Sequence, residues 1–273
     1  MNLQIDTMLH LLKIEWLKIK GYKTFWILAT LFLVSILGVN YFVFNIKQGM
    51  SQGNAQANIL IGSPFDFPNV WHTVSYFSSF LLFIPGLMMI TSITNEYTYK
   101  THRQNVIDGL SRSQFIHVKI VLIIILVIVA TIFVFLTSIL YGLLSGSSFS
   151  FEKVEHIGYY FIQGLSYCMV ALLLSVLIKR SGLCIGLFFL YIFIIENFIA
   201  AMLNNMSGDM KSNSGPGDYL PLNTVDNLIP FPFFRSLVQL GTIPPTYILL
   251  GLAAIYLFLY YFFSVRKFKT QDL

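Results

Sequence analysis

Charge is what this sequence has least of. Only 12 acidic and 17 basic residues are spread over 273 positions, 11% of the chain, while 56% of the residues are hydrophobic; an ordinary soluble domain carries roughly 25% charged residues. That shortage argues against a soluble globule, whose surface needs charge between its apolar contacts, and points to lipid as the solvent. Cysteine is nearly absent as well: Cys168 and Cys184 are the two present, no C-x-x-C spacing occurs, and neither a disulfide scaffold nor a metal centre is expected. The sequence has no G-x-x-x-x-G-K-[ST], hence no loop to cradle a nucleotide's phosphates, so the chain itself is not expected to be an enzyme or to bind a cofactor. No internal repeat is evident, which weakens an inverted-repeat transporter reading. The basic excess, formally +5, falls beside apolar segments rather than on one polar face, so nucleic acid is not an expected partner.

What the sequence does have is six apolar stretches long enough to cross about 30 Å of hydrocarbon at about 1.5 Å per residue. They lie at 25–44, 70–93, 120–144, 158–178, 182–203 and 247–265. Pro85 followed by Gly86 predicts a kink in the second, and the third exceeds what a bilayer requires. The expected fold is therefore an all-α integral membrane protein, one transmembrane domain over 1–273. Lysine and arginine set its orientation, because basic flanks stay in the cytoplasm. With the N-terminus inside, 13 of the 17 basic residues fall on the cytoplasmic side and only Lys47, Lys153, Lys211 and Arg235 outside. Both termini are expected in the cytoplasm and the chain in the plasma (inner) membrane.

Two further segments have a pattern of their own. Over 3–22, Ile5, Met8, Leu9, Leu12, Trp16 and Ile19 recur at helical spacing beside Lys13 and Lys20, which predicts an amphipathic helix lying in the inner interface. Packing on a soluble partner is the alternative. The loop 204–245 begins with a Ser/Gly/Asn/Asp-rich stretch and continues into an apolar patch broken by Pro230 and Pro232, which predicts short extracytoplasmic helices packed on the bundle between spans five and six.

The loop 95–119 between spans two and three carries the most information. Gly109 reads as a helix stop, and Ser111 with Gln114 three residues on reads as a capping box that starts the third span. Glu96, then Lys100-Thr101 and Arg103, then Gly109-Leu110-Ser111-Arg112 followed by Phe115 and Lys119, resembles the corresponding loop of ABC-2 type permeases. That family places an acidic residue before a Gly-Thr pair and a Pro-x-Ser-Arg turn before an aromatic and a Gly-Lys; here Lys100 replaces a glycine and Gly109 a proline. The resemblance extends to the plan of an interfacial helix, six spans and short outer helices. It implies a permease subunit of an ATP-driven transporter, an exporter by the family's usual direction. Its first cytoplasmic loop would be a coupling helix seated on a separate ABC ATPase, with two copies of that ATPase, which would bind ATP and Mg, and a second, identical or different, permease. The residues expected to carry coupling are Glu96, Thr101, Arg103, Asp108, Ser111 and Arg112. Read from the residues alone, the same loop is equally a positive-inside connector touching anionic lipid.

Glu196 is the one carboxylate inside an expected span, and an acid there costs a few kcal/mol unless it pairs, is neutralised or faces a cavity. It is a candidate for the translocation path, or a hydrogen-bonded residue without that role. Glu152, Glu155 and His156 fall one histidine short of a zinc pattern. An intramembrane enzyme would have to be built from Glu196, His72 and Gln163, a thin set. A non-transporting membrane anchor or immunity protein remains the other alternative.

Overall fold

The computed structural model describes residues 2–53, 62–99, 111–206, 215–233 and 244–270, with the side chains of 2–10, 50–53 and 112 left aside. All regular structure among them is helical. In chain order, α1 spans Asn2–Gly21, α2 Lys23–Gly53, α3 Val70–Ser79, α4 Phe83–Thr98, α5 Arg112–Leu144, α6 Glu155–Ile178, α7 Ser181–Leu190, α8 Glu196–Met206, α9 Pro221–Asp226 and α10 Thr246–Thr270. Five bodies are long and apolar enough to cross a membrane, namely α2, α5, α6, the continuous α7–α8 body and α10. The α3–α4 pair makes a sixth if its bend of 43° is counted within one span. The chain is an all-α integral membrane protein.

The break between α3 and α4 falls at 80–82, one turn before Pro85. Pro85 has no N–H to offer the carbonyl four residues back, and its ring crowds that carbonyl, so the helix restarts rather than continues. Gly86 then allows a close crossing: a Cβ there would meet the ring of Phe188 at 2.3 Å.

The fifth span is interrupted by a π-helical turn, Tyr191–Ile195, between α7 and α8. Asn197 Nδ2 donates to the Ile192 carbonyl at 2.9 Å, five residues back. The extra residue of a π-turn rotates the helix beyond it by about one residue's arc. Glu196 is thereby turned from the apolar face into the bundle, where it is 3% exposed.

The helix α6 is the axle. In its most apolar window 61% of residues are buried, against 17–28% in the other full-length spans, and it packs on α3, α4, α5, α9 and α10. The remaining spans turn large apolar side chains outward, among them Ile27, Val34 and Phe42 of α2, Leu183 and Phe198 of the fifth span, and Phe258 of α10. Such a surface is stable only against lipid or another apolar partner.

We call the end that holds α1, the C-terminus of α10 and the roots of segment 100–110 the basic end. The far end holds segments 62–69, 145–154 and 215–233. An aromatic cluster closes the far end: Trp71 stacks on Phe135 at 5.2 Å between ring centroids, and its indole N–H donates to the Ser150 carbonyl at 2.9 Å.

Candidate functional site

The third span starts on the expected cap. The Ser111 hydroxyl accepts from the Gln114 N–H at 3.2 Å and the Gln114 side chain accepts from the Ser111 N–H at 2.9 Å. This satisfies two of the backbone donors that a helix start leaves unpaired. From that cap α5 rises for 33 residues, about 50 Å at helical rise, so its first turns stand beyond a hydrocarbon core of about 30 Å.

Lys119 lies in those first turns and is completely buried. Its ammonium donates to Glu15 of α1 at 2.5 Å and to Glu96 near the end of α4. A second cation, Lys18, reaches Glu15 at 2.8 Å and Glu96 at 3.4 Å. Two acids and two bases from three helices thus form one neutral cluster. An isolated buried ammonium would cost several kcal/mol; two carboxylates with directed hydrogen bonds offset that cost. Burial works against the charge of Glu15, but the Lys119 and Lys18 ammoniums outweigh it and hold the carboxyl below the usual range.

Aromatic contacts brace the same level. Phe115 stacks on Phe268 of α10 with centroids 4.7 Å apart and planes within 7°, while Lys119 sits over the Phe115 ring at 5.4 Å. His117 Nε2 lies 2.9 Å from the Tyr261 hydroxyl of α10. Lys179, at the end of α6, lies over the Tyr97 ring at 5.6 Å. Both roots of segment 100–110 are therefore anchored to α1, α6 and α10.

Of the residues read as coupling candidates, Glu96 is buried and aimed at Lys119 rather than displayed at the surface. Ser111 is exposed and caps α5. Arg112 begins the helix, and its side chain lies outside the described residues, as do Thr101, Arg103 and Asp108. Lys119, read as the closing lysine of the loop motif and a topology charge but not as a coupling residue, and Glu15, not singled out at all, are the hub of the cluster. Glu15 had one visible signal: it lies midway between Leu11 and Ile19 at four-residue steps, and those three form the face of α1 that the bundle buries. Trp16, placed on the apolar stripe with Ile19, is instead 51% exposed and packs edge-on against Trp26 at 6.2 Å.

The polar residues considered for an intramembrane enzyme all hold the far-end segment instead of converging on one another. Glu196 Oε1 accepts from the N–H groups of Leu222 and Asn223 at 2.5 and 2.9 Å, capping α9 from another helix. Gln163 Nε2 donates to Asp226 at 2.7 Å. His72 Nε2 lies 2.6 Å from the Pro230 carbonyl. Gly217 lets this segment lie on the backbone of the fifth span, since a Cβ there would stand 2.4 Å from the Ala200 carbonyl oxygen. His156, from the near-zinc pattern, packs its ring against that of His72 at 4.4 Å.

Comparison with known proteins adds one finding. Residues 11–204, more than two thirds of the chain, match the family described as ABC-2 family transporter protein. No curated protein gives a match.

Proposed function

The chain belongs to the ABC-2 family of transporter proteins, and from that membership we propose that it is the permease subunit of an ATP-driven exporter, coupled through its loop 95–119 to a separate ATPase. The observation that carries the coupling reading is the ion cluster at the loop's roots. Glu96 precedes the loop's centre and Lys119 closes it, and the two are bonded to each other and, through Lys119, to Glu15. A push on the loop would then move α4, α5 and α1 as one body. Without the cluster it would flex the loop alone.

In this reading the basic end faces the cytoplasm and the far end faces outward. Two ATPase subunits bind beneath the loops of two permeases, identical or different, whose exposed apolar faces meet lipid and each other. Nucleotide and Mg sit in the ATPase, because the sequence here offers no phosphate-binding loop. Glu196 lies along the translocation path as well as capping α9.

The test is reconstitution with a soluble ATPase that carries Walker motifs, sought first among the products of neighbouring genes. The two should copurify, and the permease should stimulate ATP hydrolysis. Asp108→Ala with Arg112→Ala should remove most of that stimulation while leaving the permease folded. Unchanged stimulation in the double variant would rule out the loop as the coupling element.

A further inference from the structure

A cavity of about 290 Å³ opens at the far end where the second span breaks, between that break, α6, the π-turn of the fifth span and the segment 226–231. Its floor is polar. Asp226 accepts from Gln163 Nε2 at 2.7 Å and from the Tyr167 hydroxyl at 3.2 Å to each carboxylate oxygen. Gln163 itself is 3% exposed, and its own carbonyl oxygen is buried with no hydrogen-bond partner. No lysine or arginine among the described residues pairs with Asp226.

The rim is aromatic. Tyr76 packs edge-on against Phe80 at 5.1 Å and against Phe231 at 5.5 Å, and Phe193 faces them from the fifth span. Phe80 and Phe193 are both more than half exposed, on the outer surface of the bundle.

A floor with a carboxyl and a spare amide carbonyl asks its ligand for N–H donors and positive charge, since a buried acceptor left unmatched is costly. An aromatic rim favours a cation passing over ring faces and an apolar tail beyond it. The volume encloses a headgroup and a few methylenes, leaving a longer tail to run out between Phe80 and Phe193. We propose that this cavity binds the protonated amine headgroup of a membrane amphiphile, with the Asp226 carboxylate as counter-ion and the Gln163 carbonyl as second acceptor. It rests on the permease reading for its consequence, which is that amine-bearing amphiphiles are the substrate class.

Binding is linked to protonation. Burial, together with the negative charge of Glu196, pushes Asp226 up to about 7 against the hydrogen bonds from Gln163 and Tyr167. The titratable groups facing it are Tyr76 from the second span, Tyr167 from α6 and Glu196 from the fifth span. An alkylammonium stays charged throughout this range, so its binding tracks the carboxylate form of Asp226. Affinity is high above pH 7 and falls as pH drops through it.

The experiment measures binding of dodecylamine to the purified full chain in phosphatidylcholine nanodiscs, with empty discs subtracted and dodecan-1-ol as the uncharged comparison. Expected are saturable amine binding, about tenfold weaker at pH 6 than at pH 8, at least tenfold weaker in Asp226→Asn, and severalfold weaker in Gln163→Leu. Equal binding of the alcohol, no pH dependence, or full affinity in Asp226→Asn would overturn the site. If Asp226→Asn does not fold, the wild-type pH series and the alcohol comparison decide alone. No ATPase is present in this assay, so the two readings fail separately. Saturable amine binding without ATP-driven transport would count against the permease role, and transport without amine binding against the site.

Discussion

Lys119 decides more than any other residue at the basic end, because its ammonium has no water to fall back on. Replacing it with methionine removes the fully buried partner of the cluster and leaves Glu15 and Glu96 to share the partly exposed Lys18, a loss of about 3–5 kcal/mol. Lys119→Met alone should therefore lower the thermal stability of the purified chain clearly. The triple variant Glu15→Gln, Glu96→Gln, Lys119→Met, in which no unbalanced charge is buried, should recover most of it; a triple variant no more stable than the single one would show that the cluster does not bear this charge balance. Glu196 separates two roles by chemistry. Glu196→Gln keeps an oxygen for the Leu222 and Asn223 N–H groups and should hold stability. Glu196→Ala strands both donors and should cost about 1–2 kcal/mol, as loss of a helix cap does. If Glu196 also serves the path, Glu196→Gln will transport more slowly than wild type while melting at the same temperature.

At the scale of elements, the break at 80–82 and the π-turn at 191–195 work as a pair. The first opens the second span beside the cavity, and the second aims Glu196 at α9. Their crossing depends on Gly86, where any Cβ drives into Phe188. Gly86→Ala should destabilise the chain by about 1–3 kcal/mol through overpacking, and adding Phe188→Leu should return part of that loss in the same thermal melt. The kink is legible in the sequence from Pro85, and the cap of α5 from Ser111 and Gln114. The π-turn is not, since Tyr-Ile-Phe-Ile-Ile reads as uninterrupted apolar helix and the Glu196 contacts that accompany the turn lie 26 and 27 positions away.

At the scale of the whole molecule, orientation is the property to measure. Cys168 and Cys184 are buried, so the native background for thiol labelling is low. Ser148 at the far end and Thr270 at the basic end are both exposed. With the basic end inside, a membrane-impermeant maleimide should label Ser148→Cys in intact cells and Thr270→Cys only after permeabilisation; the reverse pattern would invert the topology. The charge count that predicts this is a property of the chain alone, whereas the three-helix ion cluster is not. Lys119 and Glu96 are 23 positions apart and Glu15 lies 104 positions from Lys119, and nothing local in the sequence pairs them.

Taken by itself, the sequence determined the solvent and the places of the long apolar bodies, because apolar length against bilayer thickness is a one-dimensional comparison, whereas the sixth span depends on how the 43° bend between α3 and α4 is counted. It also determined the capped start of α5, because a capping box is complete within four residues. Only the tertiary structure decided which charges are buried together, that Glu96 turns inward to Lys119, and that Gln163 and Glu196 serve the far-end segment. Those outcomes depend on the rotation of each helix about its own axis, and that rotation is set by the packing of neighbours distant in the chain.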